Sequence, residues 1–135
     1  MINTQVTTPE VAPTGPKAFH ILYVDDMREL RRLLEVMLGH YGHTVETAAD
    51  GQQALDRING AGAPFDVVIT DHHMPVMNGL DLVRQLRAQE FSGKILVFSS
   101  ELSEEVSEAY HRLGVQYVLP KPIFPSTLQA ILASL

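Results

Sequence analysis

Val67-Val68-Ile69-Thr70-Asp71 predicts a buried strand that ends in an aspartate, and the Pro-, Asn- and Gly-containing segment from His72 to Gly79 predicts a loop after it. We therefore expect Asp71 at the carboxyl end of a strand. In open α/β sheets, ligands bind at this edge, at the point where the strand order reverses. The stretch thus predicts both a parallel sheet and the position of its functional site.

Three further apolar runs also end in polar side chains. Residues 21–24 run into Asp25 and Asp26, residues 95–98 run into Ser99, and residues 115–119 run into Lys121. Because the carboxyl ends of parallel strands meet at one edge of a sheet, we expect these side chains to lie near Asp71. Acids, a hydroxyl and an amine should therefore meet at that edge.

Composition excludes several classes of protein. A chain of 135 residues with 45% hydrophobic content predicts one domain, which buries roughly two-thirds of its unfolded surface. It has no cysteine and a net charge of -6, so thiolate chemistry is excluded and direct nucleic-acid binding is not expected. No apolar run approaches the roughly 20 residues of a membrane span. We expect a cytoplasmic protein with no membrane partner.

The chain divides into an arm and a domain. Residues 1–18 are rich in Thr and Pro and have no hydrophobic periodicity, which predicts a disordered N-terminal arm. From residue 19 to residue 135 strand and helix patterns alternate five times, which predicts a (βα)₅ domain with a parallel sheet. Right-handed crossovers then place helices on both faces of a five-stranded sheet.

Local signals predict where the helices begin and end. Leu30, Leu34 and Leu38 lie on one face of the first helix. Asp50, Ser103 and Ser126 are expected to begin the second, fourth and fifth helices. The third and fourth helices are each predicted to turn an apolar face toward the sheet, formed by Leu82/Val83/Leu86 and by Val106/Ala109/Tyr110/Leu113.

The chemistry of the strand ends predicts a cation site. Asp25, Asp26 and Asp71 would repel one another and lose hydration if gathered without a counterion. Oxygen ligands without thiolates match Mg²⁺ best. A carboxylate can also attack phosphorus to form an acyl phosphate, and Lys121, the cation and the Ser99 hydroxyl can neutralise the transferred group.

These motifs give the chain a resemblance to the receiver domain of two-component response regulators. The resemblance covers Phe19 to about Leu135 and rests on Asp25-Asp26, Asp71 with the loop Met74 to Gly79, Ser99 and Lys121-Pro122. It implies a flavodoxin-like doubly wound fold with strand order 2-1-3-4-5. It also implies a cis peptide before Pro122.

The same resemblance implies a function and its partners. A sensor histidine kinase or histidine phosphotransfer protein supplies a phosphohistidine, and Asp71 accepts the phosphoryl group with Mg²⁺ present. Asp26 and Asp71 would be direct ligands of the ion, the backbone carbonyl of His73 a third, and Asp25 would act chiefly through water. The output would pass to a downstream effector protein or a fused output domain. The domain would then be no enzyme beyond its own phosphotransfer and autodephosphorylation.

Two departures from the family affect the site and its output. His73 stands two residues after the phosphoacceptor, where a side chain borders the path of hydrolytic water, so we expect it to tune the lifetime of the acyl phosphate. Val118 stands where the family usually has a switching Tyr or Phe, and Tyr117 is one place earlier. Because Val is stiff at χ1 and strand side chains alternate, we expect a signalling face of helix four, strand five and helix five that works without a ring flip.

Other interpretations of the same residues stay open from sequence alone. Asp25 and Asp26 could be helix N-caps, and His72 with His73 could bind a transition metal. An aspartate-nucleophile phosphohydrolase would also use Asp71, but it normally needs a second acid at the position of His73. A phosphorylation-independent interaction module on the same fold is the remaining alternative.

Overall fold

The computed structural model describes residues 17–135. The predicted arm therefore lies outside the described residues except for Lys17 and Ala18. Strands and helices alternate along the described chain, as predicted. Their bounds are β1 His20–Val24, α1 Arg28–His40, β2 Thr44–Ala48, α2 Gly51–Asn59, β3 Val67–Asp71, α3 Gly79–Ala88, β4 Lys94–Ser99, α4 Glu104–Arg112, β5 Tyr117–Pro120 and α5 Pro125–Ala133.

The five strands form one parallel sheet in the order β2-β1-β3-β4-β5, which confirms the predicted order. The register aligns the polar strand ends. Asp71 lies opposite Phe98 of β4, and Ser99 lies opposite Pro120 of β5. The carboxyl ends of β1, β3, β4 and β5 therefore deliver their polar residues to one edge of the sheet.

Each face of the sheet has its own hydrophobic core. One core packs side chains of α2, α3 and α4 on the sheet and includes Ala54, Leu82, Leu86 and Tyr110. The other packs α1 and α5 and includes Leu34, Leu38, Leu128 and Leu132. Neighbouring strand residues alternate between the two cores, as Leu22 and Tyr23 do. Helices thus cover both faces, as predicted.

The helix starts confirm two predicted N-caps and correct a third. Asp50 accepts a hydrogen bond from the Gln53 amide, and Ser103 accepts one from the Val106 amide. Ser126, expected to begin the last helix, lies inside it instead, because α5 begins at Pro125 with Phe124 as N-cap. Proline at the first helical position needs no amide partner and has a helical φ, so it sets the start one residue earlier.

The last strand is shorter than its apolar run predicted. It begins at Tyr117, whereas Val115 ends the turn that follows α4 and is buried there. Gly114, with φ of +75°, makes that turn possible without a side-chain clash. Within residues 17–135 no helix is both long and apolar enough to cross a membrane.

Candidate functional site

Three carboxylates converge where β1 and β3 end. Asp25, Asp26 and Asp71 each offer an oxygen, and these oxygens lie within 4.8 Å of one another. Asp25 and Asp71 are buried, whereas Asp26 is exposed. The cluster is therefore open to solvent on the Asp26 side, and the sequence correctly predicted that the three acids meet.

Lys121 is the cation of this cluster. Its Nζ lies 2.9 Å from Asp25 Oδ2 and 3.2 Å from Asp71 Oδ2. Desolvation lowers the pKa of this ammonium, but the hydrogen bonds and negative charges of the two aspartates outweigh it and raise the pKa above its usual value. The Lys121–Pro122 peptide bond is cis, as the resemblance implied, and the Lys121 amide donates to the Ser99 carbonyl at 2.8 Å.

Asp25 is held by its neighbours in the chain. Its Oδ2 accepts from the Tyr23 hydroxyl at 2.9 Å and its Oδ1 accepts from the Met27 amide at 2.9 Å. Arg31 donates to the Asp25 carbonyl at 2.7 Å. Sequence reasoning missed Tyr23, although residues two apart in a strand point to the same face. With these bonds made, Asp25 is a fixed carboxylate at the floor of the site.

Asp71 has a separate anchor for each oxygen. Oδ1 accepts from the His72 amide at 2.8 Å, while Oδ2 faces Lys121. Burial raises the pKa of Asp71 and the charge of Asp25 adds to this, so the two together outweigh the opposing effects of Lys121 and of the His72 amide. The protein thus holds this carboxylate in a definite orientation at an energetic cost to its charged form.

His72 does not lie free in the loop. Its Nδ1 lies 2.6 Å from the hydroxyl oxygen of Tyr110 in α4, and both side chains are buried. Burial, with a contribution from His73, lowers the pKa of His72. Sequence reasoning assigned Tyr110 only to the inner stripe of its helix and gave His72 no partner, because residues 38 positions apart carry no pairing signal.

Ser99 and His73 both lie near Glu101 in the loop after β4. The buried Ser99 hydroxyl donates to the Glu101 carbonyl at 3.1 Å, and its oxygen accepts from the Glu101 amide at 3.2 Å. His73 Nε2 lies 3.9 Å from Glu101 Oε1, and both side chains are exposed. An open cavity of about 380 Å³ is lined by Asp26, His73, Met74, Pro75 and Asn78.

The ligand set fits Mg²⁺ and argues against two of the alternatives. Among residues 17–135 the acid triad is the one group of three or more candidate ligand side chains, and it contains no histidine. The ring of His72 faces Tyr110 instead. Met27, which makes no side-chain cap bond, is the N-cap of α1. The two acids are therefore not helix caps, and oxygen-only ligation is what Mg²⁺ prefers.

The fold and the site define a class: a doubly wound parallel α/β domain with an acidic pocket and a lysine at the carboxyl edge of its sheet. The chain belongs to the response regulator receiver domain family, whose model matches residues 21–133. It is therefore a receiver domain of the two-component type.

Individual relatives agree with this assignment. The chain is 34% identical over 88% of its length to the sensory/regulatory protein RpfC of Xanthomonas campestris, of which it spans 17%. It is 38% identical over 85% of its length to the response regulator MprA of Mycolicibacterium vanbaalenii, of which it spans 49%. The chain thus corresponds to one part of these longer relatives.

Solved structures show the same fold. The chemotaxis protein CheY4 of Vibrio cholerae is 36% identical, with a TM-score of 0.78 over 86% of this chain and 97% of that one. A receiver protein of Pseudomonas putida is 28% identical, with a TM-score of 0.82 over 88% of this chain and 98% of that one. The likeness extends over nearly all of the compared structures.

Proposed function

We propose that this receiver domain accepts a phosphoryl group onto Asp71 from a phosphohistidine of a sensor histidine kinase or histidine phosphotransfer protein, in a Mg²⁺-dependent step of a phosphorelay. The observation that carries the proposal is the geometry of Asp71, whose two oxygens are separately anchored beside Lys121 and the acid pair. We expect the domain to act in the cytoplasm.

The proposed transfer is a displacement at phosphorus. A carboxylate oxygen of Asp71 forms the new P–O bond while the bond from phosphorus to the donor imidazole nitrogen breaks, and that nitrogen keeps the electron pair. Asp26, Asp71 and the His73 carbonyl would hold Mg²⁺, with Asp25 acting through water. The ion supplies positive charge to the transferred group when bound.

Lys121 and Ser99 complete the site. The Lys121 ammonium, already 3.2 Å from Asp71 Oδ2, provides a mobile positive charge for a phosphoryl oxygen. The Ser99 hydroxyl must give up its bond to the Glu101 carbonyl before it can donate to that group. That exchange couples phosphorylation to the loop between β4 and α4.

The proposed output surface consists of α4, β5 and α5. Val118 packs against the core beneath α4, and Tyr117 is exposed opposite Leu96 of the other core. The two side chains thus point to opposite faces of the sheet, as predicted. Neither residue therefore places an aromatic ring between β5 and α4. Loop displacement then carries the signal to an effector protein or fused output domain.

Phosphorylation in vitro tests the proposal. Incubation with phosphoramidate and Mg²⁺ should add one acid-stable, hydroxylamine-sensitive phosphoryl group to the wild type. No group should be added to Asp71→Asn, or to the wild type when excess EDTA is present from the start. Uptake by Asp71→Asn at the wild-type level would refute the assignment of the site. No uptake by the wild type would favour the phosphorylation-independent module. Release of phosphate from unrelated phosphoesters would instead indicate a phosphohydrolase.

A further inference from the structure

A buried hydrogen bond joins the loop after the phosphoacceptor to α4. His72 Nδ1 and the Tyr110 hydroxyl oxygen are 2.6 Å apart, and the two rings meet edge to face with centroids 5.5 Å apart. Tyr110 is fully buried and His72 nearly so. A buried polar atom is costly without its partner, so each of these groups holds the other in place.

The surroundings of the hydroxyl leave the pair little freedom. A Cβ atom at Gly79 would lie 2.7 Å from the Tyr110 hydroxyl oxygen, so the first residue of α3 must be glycine for this packing. The Gly79 amide also donates to the His72 carbonyl at 2.8 Å. The start of α3, the loop after β3 and the last turn of α4 therefore meet at one tightly packed point.

His72 connects this point to the reacting carboxylate. Its ring contacts Tyr110, while its amide donates to Asp71 Oδ1 at 2.8 Å. Lys121 holds the other oxygen of Asp71. A change at the His72 ring therefore acts on the residue whose amide, shared with the Phe98 carbonyl at 3.1 Å, orients Oδ1. Small misplacements of a nucleophile slow the reaction strongly.

We propose that His72 and Tyr110 form a positioning pair, which transmits the placement of α4 to the Asp71 carboxylate and, in the reverse direction, transmits phosphorylation of Asp71 to α4. This inference rests on the proposed function, because its effect is on the reaction of Asp71. Neither side chain touches the phosphoryl group. The pair gives α4 a second connection to the site, independent of the loop between β4 and α4.

Four variants separate the hydrogen bond from packing. Tyr110→Phe removes only the hydroxyl, His72→Leu keeps bulk without a polar atom, and His72→Asn keeps a polar atom near the position of Nδ1. The rate of phosphorylation by phosphoramidate should fall about three- to tenfold in Tyr110→Phe and His72→Leu and stay near wild type in His72→Asn. The double variant Tyr110→Phe/His72→Leu should be no slower than the slower single one, because the two act as a unit.

Two further measurements exclude a merely structural role. Ile95→Val, in the first half of β4 and buried, is the control for lost stability and should keep the wild-type rate. The NMR shift of the Tyr110 ring carbon bonded to oxygen should move when Mg²⁺ and beryllofluoride bind the wild type. In His72→Leu the same addition should move that shift less than in the wild type, because only the loop between β4 and α4 then connects α4 to the site.

The outcomes distinguish this inference from the function on which it rests. A wild type that takes up no phosphoryl group overturns the proposed function and the pair with it. Wild-type rates in Tyr110→Phe and His72→Leu, or an equal loss in Ile95→Val, overturn the pair alone. If Tyr110→Phe fails to fold, the two His72 variants decide the matter, since equal rates for His72→Asn and His72→Leu would show that the hydrogen bond does not position Asp71.

Discussion

At the scale of single residues, the charged form of Asp71 lowers the stability of the fold, although the proposed reaction requires this carboxylate. Burial and the charge of Asp25 raise its pKa, so its charged form is disfavoured in the folded chain. Its pKa exceeds that of an unfolded aspartate, so stability falls as the pH rises from the unfolded pKa to the folded one. Above the folded pKa that loss is complete.

We therefore predict that Asp71→Asn is more stable than the wild type at pH 7 without Mg²⁺. Lys121 keeps Asp25 as its partner at 2.9 Å, so the substitution leaves no unpaired ammonium. The gain should be about 1 kcal/mol, or roughly 5 °C in melting temperature. Thermal unfolding in EDTA measures it. A melting temperature below that of the wild type would show that the Lys121–Asp71 pair outweighs the desolvation of Asp71.

His73 borders the open side of the site and is 58% exposed. A ring in this position, 3.9 Å from Glu101 Oε1, would restrict the approach of water to an acyl phosphate on Asp71. We predict that His73→Ala speeds autodephosphorylation about threefold, a change of roughly 0.7 kcal/mol in the barrier. The decay of phosphorylated protein after removal of the donor gives the rate. Glu101→Gln serves as a matched control that keeps bulk, and an unchanged lifetime in His73→Ala would contradict the prediction.

The residue scale also shows what sequence reasoning can and cannot find. Asp25, Asp26, Asp71 and Lys121 were predictable because each lies within two residues of the end of an apolar run, and the edge of a parallel sheet gathers such ends. The role of Tyr110 was not predictable, because it depends on how α4 packs across the sheet. Its partner His72 lies in another element, and no periodicity relates the two.

At the scale of elements, His20 of β1 connects this strand to β2, and its hydrogen bonds depend on the charge of its ring. His20 Nδ1 lies 3.0 Å from the Pro64 carbonyl oxygen and Nε2 lies 2.8 Å from Glu46 Oε2. Only the imidazolium can donate to both acceptors. Burial lowers the pKa of His20, but the bond to Pro64 and the bond and charge of Glu46 outweigh it, and the net pKa is raised.

The stability of this edge of the sheet should consequently depend on pH. A raised histidine pKa stabilises the fold below the unfolded pKa, and this contribution is lost as the pH rises through the folded pKa. Because the Glu46 carboxylate is 40% exposed, we expect less than about 1 kcal/mol. Urea unfolding at pH 5.5 and pH 8.5 should show the loss in the wild type and a smaller one in His20→Gln. An identical pH dependence of the free energy of unfolding in the wild type and in His20→Gln would contradict this prediction.

The loop between β4 and α4 is the element expected to move. Ser99 now bonds both backbone groups of Glu101, and donation to a phosphoryl group replaces the bond to the Glu101 carbonyl. We predict a displacement of residues 100–103 in the Mg²⁺–beryllofluoride form, with Tyr117 keeping its rotamer. Crystal structures with and without beryllofluoride test this. A large rotation of the Tyr117 ring, or a still loop, would refute it.

Elements were predictable where local chemistry agrees with the packing. Asp50 and Ser103 cap their helices as expected, because each can accept a bond from an amide in the first turn. The start of α5 was wrong by one residue, because Ser126 competed with a proline that already satisfies the helix start. The start of β5 was wrong because Val115 is buried in a turn, and burial alone does not distinguish a strand from a turn.

At the scale of the whole molecule, the alternation of strand and helix patterns predicted the class and the two-faced sheet. The particular order 2-1-3-4-5 came from the resemblance, since alternation alone fits several orders. The order matters for function because it places β1 beside β3. The acids at the ends of these two strands can then share one ion.

An ion shared by the three acids would make the stability of the entire domain depend on Mg²⁺. The three carboxylates bring one positive partner, Lys121, to the cluster, so a divalent cation that binds the folded chain relieves their repulsion. At a Mg²⁺ concentration ten times its dissociation constant, the fold should gain about 1.4 kcal/mol.

We predict that Asp26→Asn, whose side chain is the exposed one of the three, folds with little change in EDTA but loses most of this gain. Thermal unfolding against Mg²⁺ concentration measures both, with Asp56→Asn on α2 as a matched surface control. An equal Mg²⁺ response in Asp26→Asn and the wild type would show that the ion binds elsewhere.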